Sequence, residues 1–516
     1  VEEWIYFLAF QGAHKKLSLE ARTSIVSCSR VEDSGCEGRV SKQQANPTRR
    51  SFLSGIAATA GALSVGCSAG AKSVKEGRAA EPGGPPDVTL RIAPVVVEIA
   101  KNHAISTIGY NNSVPGPLIR LREGVPATIE IFNDTDTPEL VHWHGMVVPS
   151  KVDGAEEEGS LVTPAHGHLR YRLTPQPSGT RFVHTHVMSM TDLCRGTFTG
   201  QFGFVYIDPK RNPGRYDQEI FLATHEWEPY FTMQEEEEYE RHEGKEEEPH
   251  GWEVRYQRFT INGKCLGSGE PVRVKQGQRV LFHLLNASAT ENIRLALAGH
   301  RFQVVALDGN PVPNPELIDV LELGTAERID AVVTMDNPGV WIFGSPKEDE
   351  RKNGMGIVIE YANRSGAPQW ISPPKRAWDY TLFGDNRRAP KPDEVIPLVF
   401  GLKNGKGRHT FEQWTINGAS YDPRTRPRAL DRGRRYRLSF DNQSEDMHPV
   451  HLHRDSFELI KVNGKPTTGV IKDVVLVKAF QKVEADVTPS MQGLSLFHCH
   501  HQVHMDQGFK MLFEVR

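Results

Sequence analysis

The tightest constraint on this chain is a motif that returns at the scale of a whole domain. A Pro, a Gly six or seven residues on, and an Asn nine residues after the Gly recur as Pro117/Gly124/Asn133, Pro271/Gly277/Asn286 and Pro427/Gly433/Asn442. Successive glycines stand 153 and 156 residues apart. That period is too long for a solenoid and suits a folded domain. Thr260-Ile261-Asn262-Gly263 and Thr415-Ile416-Asn417-Gly418 precede the second and third copies, and Tyr110-Asn111-Asn112 precedes the first. Ala127–Phe132 and Tyr436–Phe440 alternate with period two, and Gly, Pro and Asn punctuate the chain between such runs. The pattern predicts an all-β protein of three tandem β-sandwich domains. Expected boundaries are 88–209, 210–363 and 376–516, with linkers at 72–87 and 364–375. Residues 234–250 carry nine glutamates and read as a solvated acidic insertion in the second domain, or as a landing site for cations.

The length, 516 residues, excludes a small stapled scaffold. A net charge of −4, from 61 basic and 65 acidic residues, gives no reason to expect nucleic acid as a partner. Six cysteines are too few and too scattered for a disulfide framework. Residues 1–71 read as a leader. Thr48-Arg49-Arg50-Ser51-Phe52-Leu53 precedes a small-residue apolar stretch, Gly55 to Gly66, and resembles a twin-arginine export signal. That stretch is too short and too rich in Ala and Gly to make a stable membrane span. The expected destination is therefore the periplasm or cell envelope, by way of the twin-arginine export machinery. Ala69-Gly70-Ala71 suits signal-peptidase cleavage, and Ser64-Val65-Gly66-Cys67 is an imperfect lipoprotein box with Cys67 as the lipidated residue. Residues 1–46 are long and polar for such a signal, which suggests translation starting within them, at Val40.

Ten of the 21 histidines fall into four short clusters that follow the repeat. His142 and His144 lie nine and eleven residues after Asn133, and His451 and His453 lie at the same distances after Asn442. In the second copy those places hold Leu295 and Leu297. A Gly five residues upstream marks another two pairs, Gly179 before His184 and His186, and Gly493 before His498 and His500. Residues i and i+2 of a strand share a face, so each pair presents two imidazoles to one side. If the outer domains face each other, eight imidazoles converge on a metal cluster at their interface. Four pairs at repeat-equivalent places are not core packing.

His448, Cys499 and His504 imply a second site. Two imidazoles and one thiolate suit a trigonal copper electron-transfer centre. Domain one has Glu139 and Thr185 where domain three has His448 and Cys499, so only domain three can build it. Cys499 also lies between His498 and His500, which gives an electron a through-bond route to the cluster.

These motifs, His142-Trp-His-Gly, His184-Thr-His, His448-Pro-Val-His-Leu-His and His498-Cys-His-x3-His, resemble the copper motifs of three-domain multicopper oxidases, the laccase family. The resemblance covers roughly residues 88–516 and includes all eleven ligand positions. It implies three cupredoxin-like Greek-key domains and four copper ions. His448, Cys499 and His504 would hold type 1 copper, and His142 and His451 type 2. His144, His184, His186, His453, His498 and His500 would hold the type 3 pair. The implied reaction couples four one-electron oxidations of a reductant to reduction of dioxygen to water.

Some positions depart from the family pattern. The axial position beside type 1 copper, ten residues after the Cys, is Phe509, which cannot coordinate; Met511 is the alternative axial residue. Asp153, nine residues after His144, resembles the family's acidic residue near type 2 copper. Many bacterial members carry a Glu six residues after the Cys. Here that place is Met505, so the proton route either uses Asp506 or follows the fungal type. Cys194 and Cys265 are expected as separate buried thiols, with pairing as the alternative. The expected reductant is a phenol or aromatic amine. Cuprous, ferrous or manganous ions are the alternative, and a non-enzymatic copper-binding protein is a third reading.

Overall fold

The computed structural model describes residues 24–26, 84–210, 215–233, 252–374, 378–385, 387–403 and 411–516. The twin-arginine motif, both processing signals and the acidic insertion lie outside them.

The strands fall into three pairs of packed sheets, one pair per repeat. In the first unit Val88–Ala100, His103–Tyr110, Ala127–Asn133 and His168–Leu173 form one sheet. The facing sheet has the order Ile119–Arg122, Phe202–Asp208, Gly179–Thr185, Val141–His144. The second unit packs a six-stranded sheet on a five-stranded one, and the third a seven-stranded sheet on a five-stranded one. Alternation sets the cores: Ile129 and Ile131 of the first unit, and Leu438 and Phe440 of the third, point into the sandwiches and are buried. No helix among the described residues is long and apolar enough to cross a membrane.

The repeated residues have a physical reason. Gly124, Gly277 and Gly433 all turn with positive φ, at 74°, 84° and 81°. The repeated Asn is a buried clamp. In each unit its Oδ1 accepts the backbone N–H two residues on, at 3.0 Å for Asn133, 3.1 Å for Asn286 and 3.0 Å for Asn442. Its Nδ2 donates to one carbonyl of the loop that follows, Thr137, Glu291 or Asp446, and to one much further along the chain, Pro164, Leu323 or Lys478. The clamp fixes the turn leading into the strand that carries His142/His144, Leu295/Leu297 or His451/His453. Asn111, Asn262 and Asn417 close a second repeated turn, each with φ between 51° and 54°.

The expectation of separate buried thiols holds for Cys265 and not for Cys194, and the two do not pair with each other. Cys194 is disulfide-bonded, whereas Cys265 is a free, buried thiol. Cys265 is packed with Ile99 and Trp227 in the apolar seam between the first two units.

Candidate metal centre

Sheet register sets the histidines side by side. His142 stands opposite His184 across one antiparallel pair, and His451 opposite His498 across the equivalent pair of the third unit. The two units face each other, so that His142 Nε2 and His451 Nε2 come within 3.4 Å although 309 residues separate them. Around this pair the remaining six rings form two groups. His186, His453 and His498 bring their nitrogens together, with His453 Nε2 3.1 Å from His498 Nε2. His144 Nδ1 lies 3.4 Å from His184 Nε2, and the His500 ring centroid is 5.2 and 5.1 Å from theirs. All eight rings are buried.

Backbone carbonyls decide which nitrogen each ring presents. His142, His451, His184 and His498 donate from Nδ1 to the carbonyls of Asp153, Asp473, Thr185 and Cys499, at 2.7–2.8 Å. Their Nε2 lone pairs are thereby turned toward one another. His144 is reversed: Nε2 faces Asp473 Oδ1 at 3.0 Å, which leaves Nδ1 inward. His453 Nδ1 donates to Asp153 Oδ2 at 2.7 Å. His186 Nε2 and both nitrogens of His500 are buried with no hydrogen-bond partner among the described residues. Buried orphan nitrogens cost roughly 1–3 kcal/mol each unless something takes their lone pairs, and a metal ion does so. Burial holds the His144, His184, His186, His453 and His500 rings well below their ordinary pKa, and His498 at about 3. They are therefore neutral, the form that coordinates.

Asp473 carries no spacing signal, and the sequence reading misses it. Its carbonyl holds His451 and its carboxylate holds His144. Arg328, from the metal-free middle unit, reaches both of its oxygens, and Arg181 approaches at 3.4 Å. Glu158 is also unforeseen: Oε1 lies 3.5 Å from His453 Nδ1 and accepts the Leu496 N–H at 2.7 Å.

His448, Cys499 and His504 form the second set. Cys499 Sγ is 3.7 Å from His448 Nδ1 and 3.6 Å from His504 Nδ1, and the two nitrogens are 3.2 Å apart. His448 Nε2 bonds the Ser444 hydroxyl at 2.8 Å, and that hydroxyl donates to Asn442 Oδ1 at 2.8 Å. The repeat's clamp thus aims a candidate ligand. Burial pushes the Cys499 thiol up and the His448 and His504 rings down. The buried Phe509 ring lies 4.7 Å from that of His448, while Met511 pairs with Phe497, further along the strand. In the first unit Thr185 donates to Glu139 at the corresponding places, 3.1 Å apart.

Asp506 touches none of the eight histidines directly. Its carboxylate accepts from Ser189, Met190 and Gln502.

A thiol and two imidazoles, joined through the chain to an eight-imidazole cluster, are donor sets of the kind that suit copper. Multicopper oxidase family models match residues 91–212, 222–362 and 392–516. The chain is 30% identical over 497 residues to Multicopper oxidase MmcO of Mycobacterium tuberculosis, covering 89% of this chain and 95% of that protein. It is 24% identical to Multicopper oxidase mco of Staphylococcus haemolyticus, covering 81% and 86%. A multi-copper oxidase structure from Pseudomonas thermotolerans matches with TM-score 0.63 at 22% identity, over 83% of this chain and 98% of that one. The chain belongs to the multicopper oxidase family and is a copper-dependent oxidoreductase with oxygen as acceptor.

Proposed function

We propose that the protein is a laccase-like oxidase that takes electrons from phenols or aromatic amines and reduces dioxygen to water. The proposed cofactors are four copper ions. One, type 1, would be held by His448, Cys499 and His504, beside which the Phe509 ring packs. One, type 2, is assigned to His142 and His451. The type 3 pair is assigned to His144, His184, His186, His453, His498 and His500. Copper in these places supplies one-electron transfer beside Cys499 and four-electron reduction of dioxygen among the eight histidines.

The observation that carries this reading is the position of Cys499, flanked in sequence by His498 and His500 and packed against His448 and His504. The chain itself bridges the two sites. His504 is half-buried while His448 and Cys499 are fully buried, so the His504 edge meets the reductant. The Trp414 ring lies 4.4 Å from that of His504 and gives the edge an apolar, aromatic wall suited to planar substrates. Asp153, by holding His453 and His142, is the acid assigned to the cluster. Asp506 reaches the neighbourhood only through Gln502, whose Oε1 accepts from Thr197.

Export by the twin-arginine route to the periplasm or cell envelope, with cleavage after Ala71 or lipidation at Cys67, is proposed on the Arg49-Arg50 motif. The testing experiment is oxygen uptake by the copper-loaded protein, comparing 2,6-dimethoxyphenol with Cu(I) and Fe(II), with Cys499→Ser as blank. Cys499-dependent uptake with the phenol is expected. Preference for the metal ions would replace this reading with that of a metal-ion oxidase.

A further inference from the structure

Between the eight-histidine cluster and the middle unit lies a cavity of about 10 Å³, room for a single water molecule. His184 and His500 form part of its wall, and Thr197, Thr199, Gln201 and Ser288 line it with hydroxyl and amide groups. Next to Ser288, on the strand Gln218–Met233, stands Glu226. It is 1% exposed, and neither carboxyl oxygen has a full hydrogen bond among the described residues. A bare buried carboxylate is costly, so the group keeps its proton. Burial raises its pKa to about 8; the nearby Ser288 hydroxyl pulls it down, and the charges of Glu291 and Glu350 push it further up.

Hydroxyls surround this acid. Ser288 opens on the cavity. The buried Tyr256 neighbours both Glu226 and Ser288, and its phenol lies 2.9 Å from the hydroxyl of the half-buried Thr290. The other buried acids near the cavity are less well connected. Asp506 reaches it through the Gln502 amide and Glu139 through the Gln201 amide, and a side-chain amide does not hand on protons as a hydroxyl does.

We propose that Glu226, a residue of the metal-free unit, supplies protons for dioxygen reduction through the Ser288 hydroxyl to water in the cavity beside His184 and His500. The inference rests on the eight histidines being the dioxygen-reducing centre. Converting one dioxygen to two waters takes four electrons and four protons. The electrons come from the reductant by way of Cys499, and the protons leave Glu226 one at a time. In each transfer the carboxyl O–H bond breaks as an O–H bond forms at Ser288 Oγ, whose own proton passes to the cavity water. The carboxylate is refilled when the Tyr256 phenol gives it a proton and takes one from Thr290, which draws on solvent.

The test uses Glu226→Gln and Ser288→Ala in the full copper-loaded chain. Copper content and the anaerobic rate at which reductant bleaches the blue colour are expected to stay at wild-type values. Turnover with dioxygen is expected to fall at least about tenfold in both variants, with a larger solvent deuterium isotope effect. In copper-free protein, infrared titration is expected to show a protonated carboxyl ionising near pH 8, lost in Glu226→Gln. Ser288→Ala carries the kinetic arm if Glu226→Gln does not fold. Near wild-type turnover in the folded variants, or a carboxyl band unchanged by Glu226→Gln, overturns the proposal. A wild-type enzyme that takes up no dioxygen with any reductant overturns the parent reading instead, and the infrared arm still reports on Glu226.

Discussion

His453 and Asp153 lie 300 residues apart and belong to different units, yet Nδ1 of the one donates to Oδ2 of the other at 2.7 Å with both side chains fully buried. The bond crosses the interface at which the eight imidazoles meet. The Asp153 carbonyl holds His142 in the same way, at 2.8 Å. One residue of the first unit therefore orients a ring from each side of the cluster.

Asp153→Ala removes the 2.7 Å acceptor of the buried His453 Nδ1–H and leaves only Glu158 Oε1, 3.5 Å away, among the described residues. A loss of about 1–3 kcal/mol in unfolding free energy is expected, together with lower copper occupancy, because His453 is no longer held in one orientation. Denaturant unfolding of copper-free protein and metal analysis of the loaded protein check the two effects separately.

Phe509→Met places a thioether where a ring now stands 4.7 Å from His448. A fourth ligand to type 1 copper favours the oxidised ion less weakly than none, so the reduction potential is expected to fall, roughly by tens of millivolts. Spectroelectrochemical titration of the blue absorption reads it. An unchanged potential would mean that residue 509 does not face the copper.

Arg328→Met strips the guanidinium from Asp473 and Asp308, all three being fully buried. Breaking these buried pairs is expected to cost up to about 3–5 kcal/mol, softened by Arg181, 3.4 Å from Asp473, and Lys472, 3.0 Å from Asp308. It also frees the carboxylate that sets His144. Urea titration measures the first effect, and copper stoichiometry the second.

His283 gives the protein an alkaline limit. Burial alone would lower its pKa, but Asp330 at 2.8 Å and Glu219 at 3.2 Å outweigh burial and raise it to about 9. Because the folded value lies above the unfolded value of about 6.5, this contribution is complete below about pH 6.5 and is lost as pH rises through 9. Up to about 3 kcal/mol is at stake. His283→Gln is expected to lower stability at neutral pH and to flatten its decline between about pH 7 and 9, as read by melting temperature against pH.

The repeat was legible because it is built from side chains with fixed tasks. A buried Asn that bridges a turn tolerates little change, so Asn133, Asn286 and Asn442 mark their places by spacing alone. The His-x-His pairs were legible for a similar reason, since strand geometry converts a spacing of two into a shared face. Asp473, Arg328, Glu158 and Glu226 were not. They reach the cluster or its cavity through packing between units, and the distance in sequence is arbitrary: Arg328 and Asp473 are 145 residues apart. The pairing state of Cys194 was equally hidden, because disulfide partners obey spatial proximity and leave no local pattern.

The middle unit keeps the Asn clamp and the sandwich but holds Leu295 and Leu297, both buried, where its neighbours hold histidines. The same architecture therefore closes with hydrocarbon at those places, and nothing in the clamp or the carbonyl bonds to the rings calls for an ion. Closing the sandwich and furnishing ligands are thus separable tasks of one framework, the first met in all three units and the second, at these places, in the outer two.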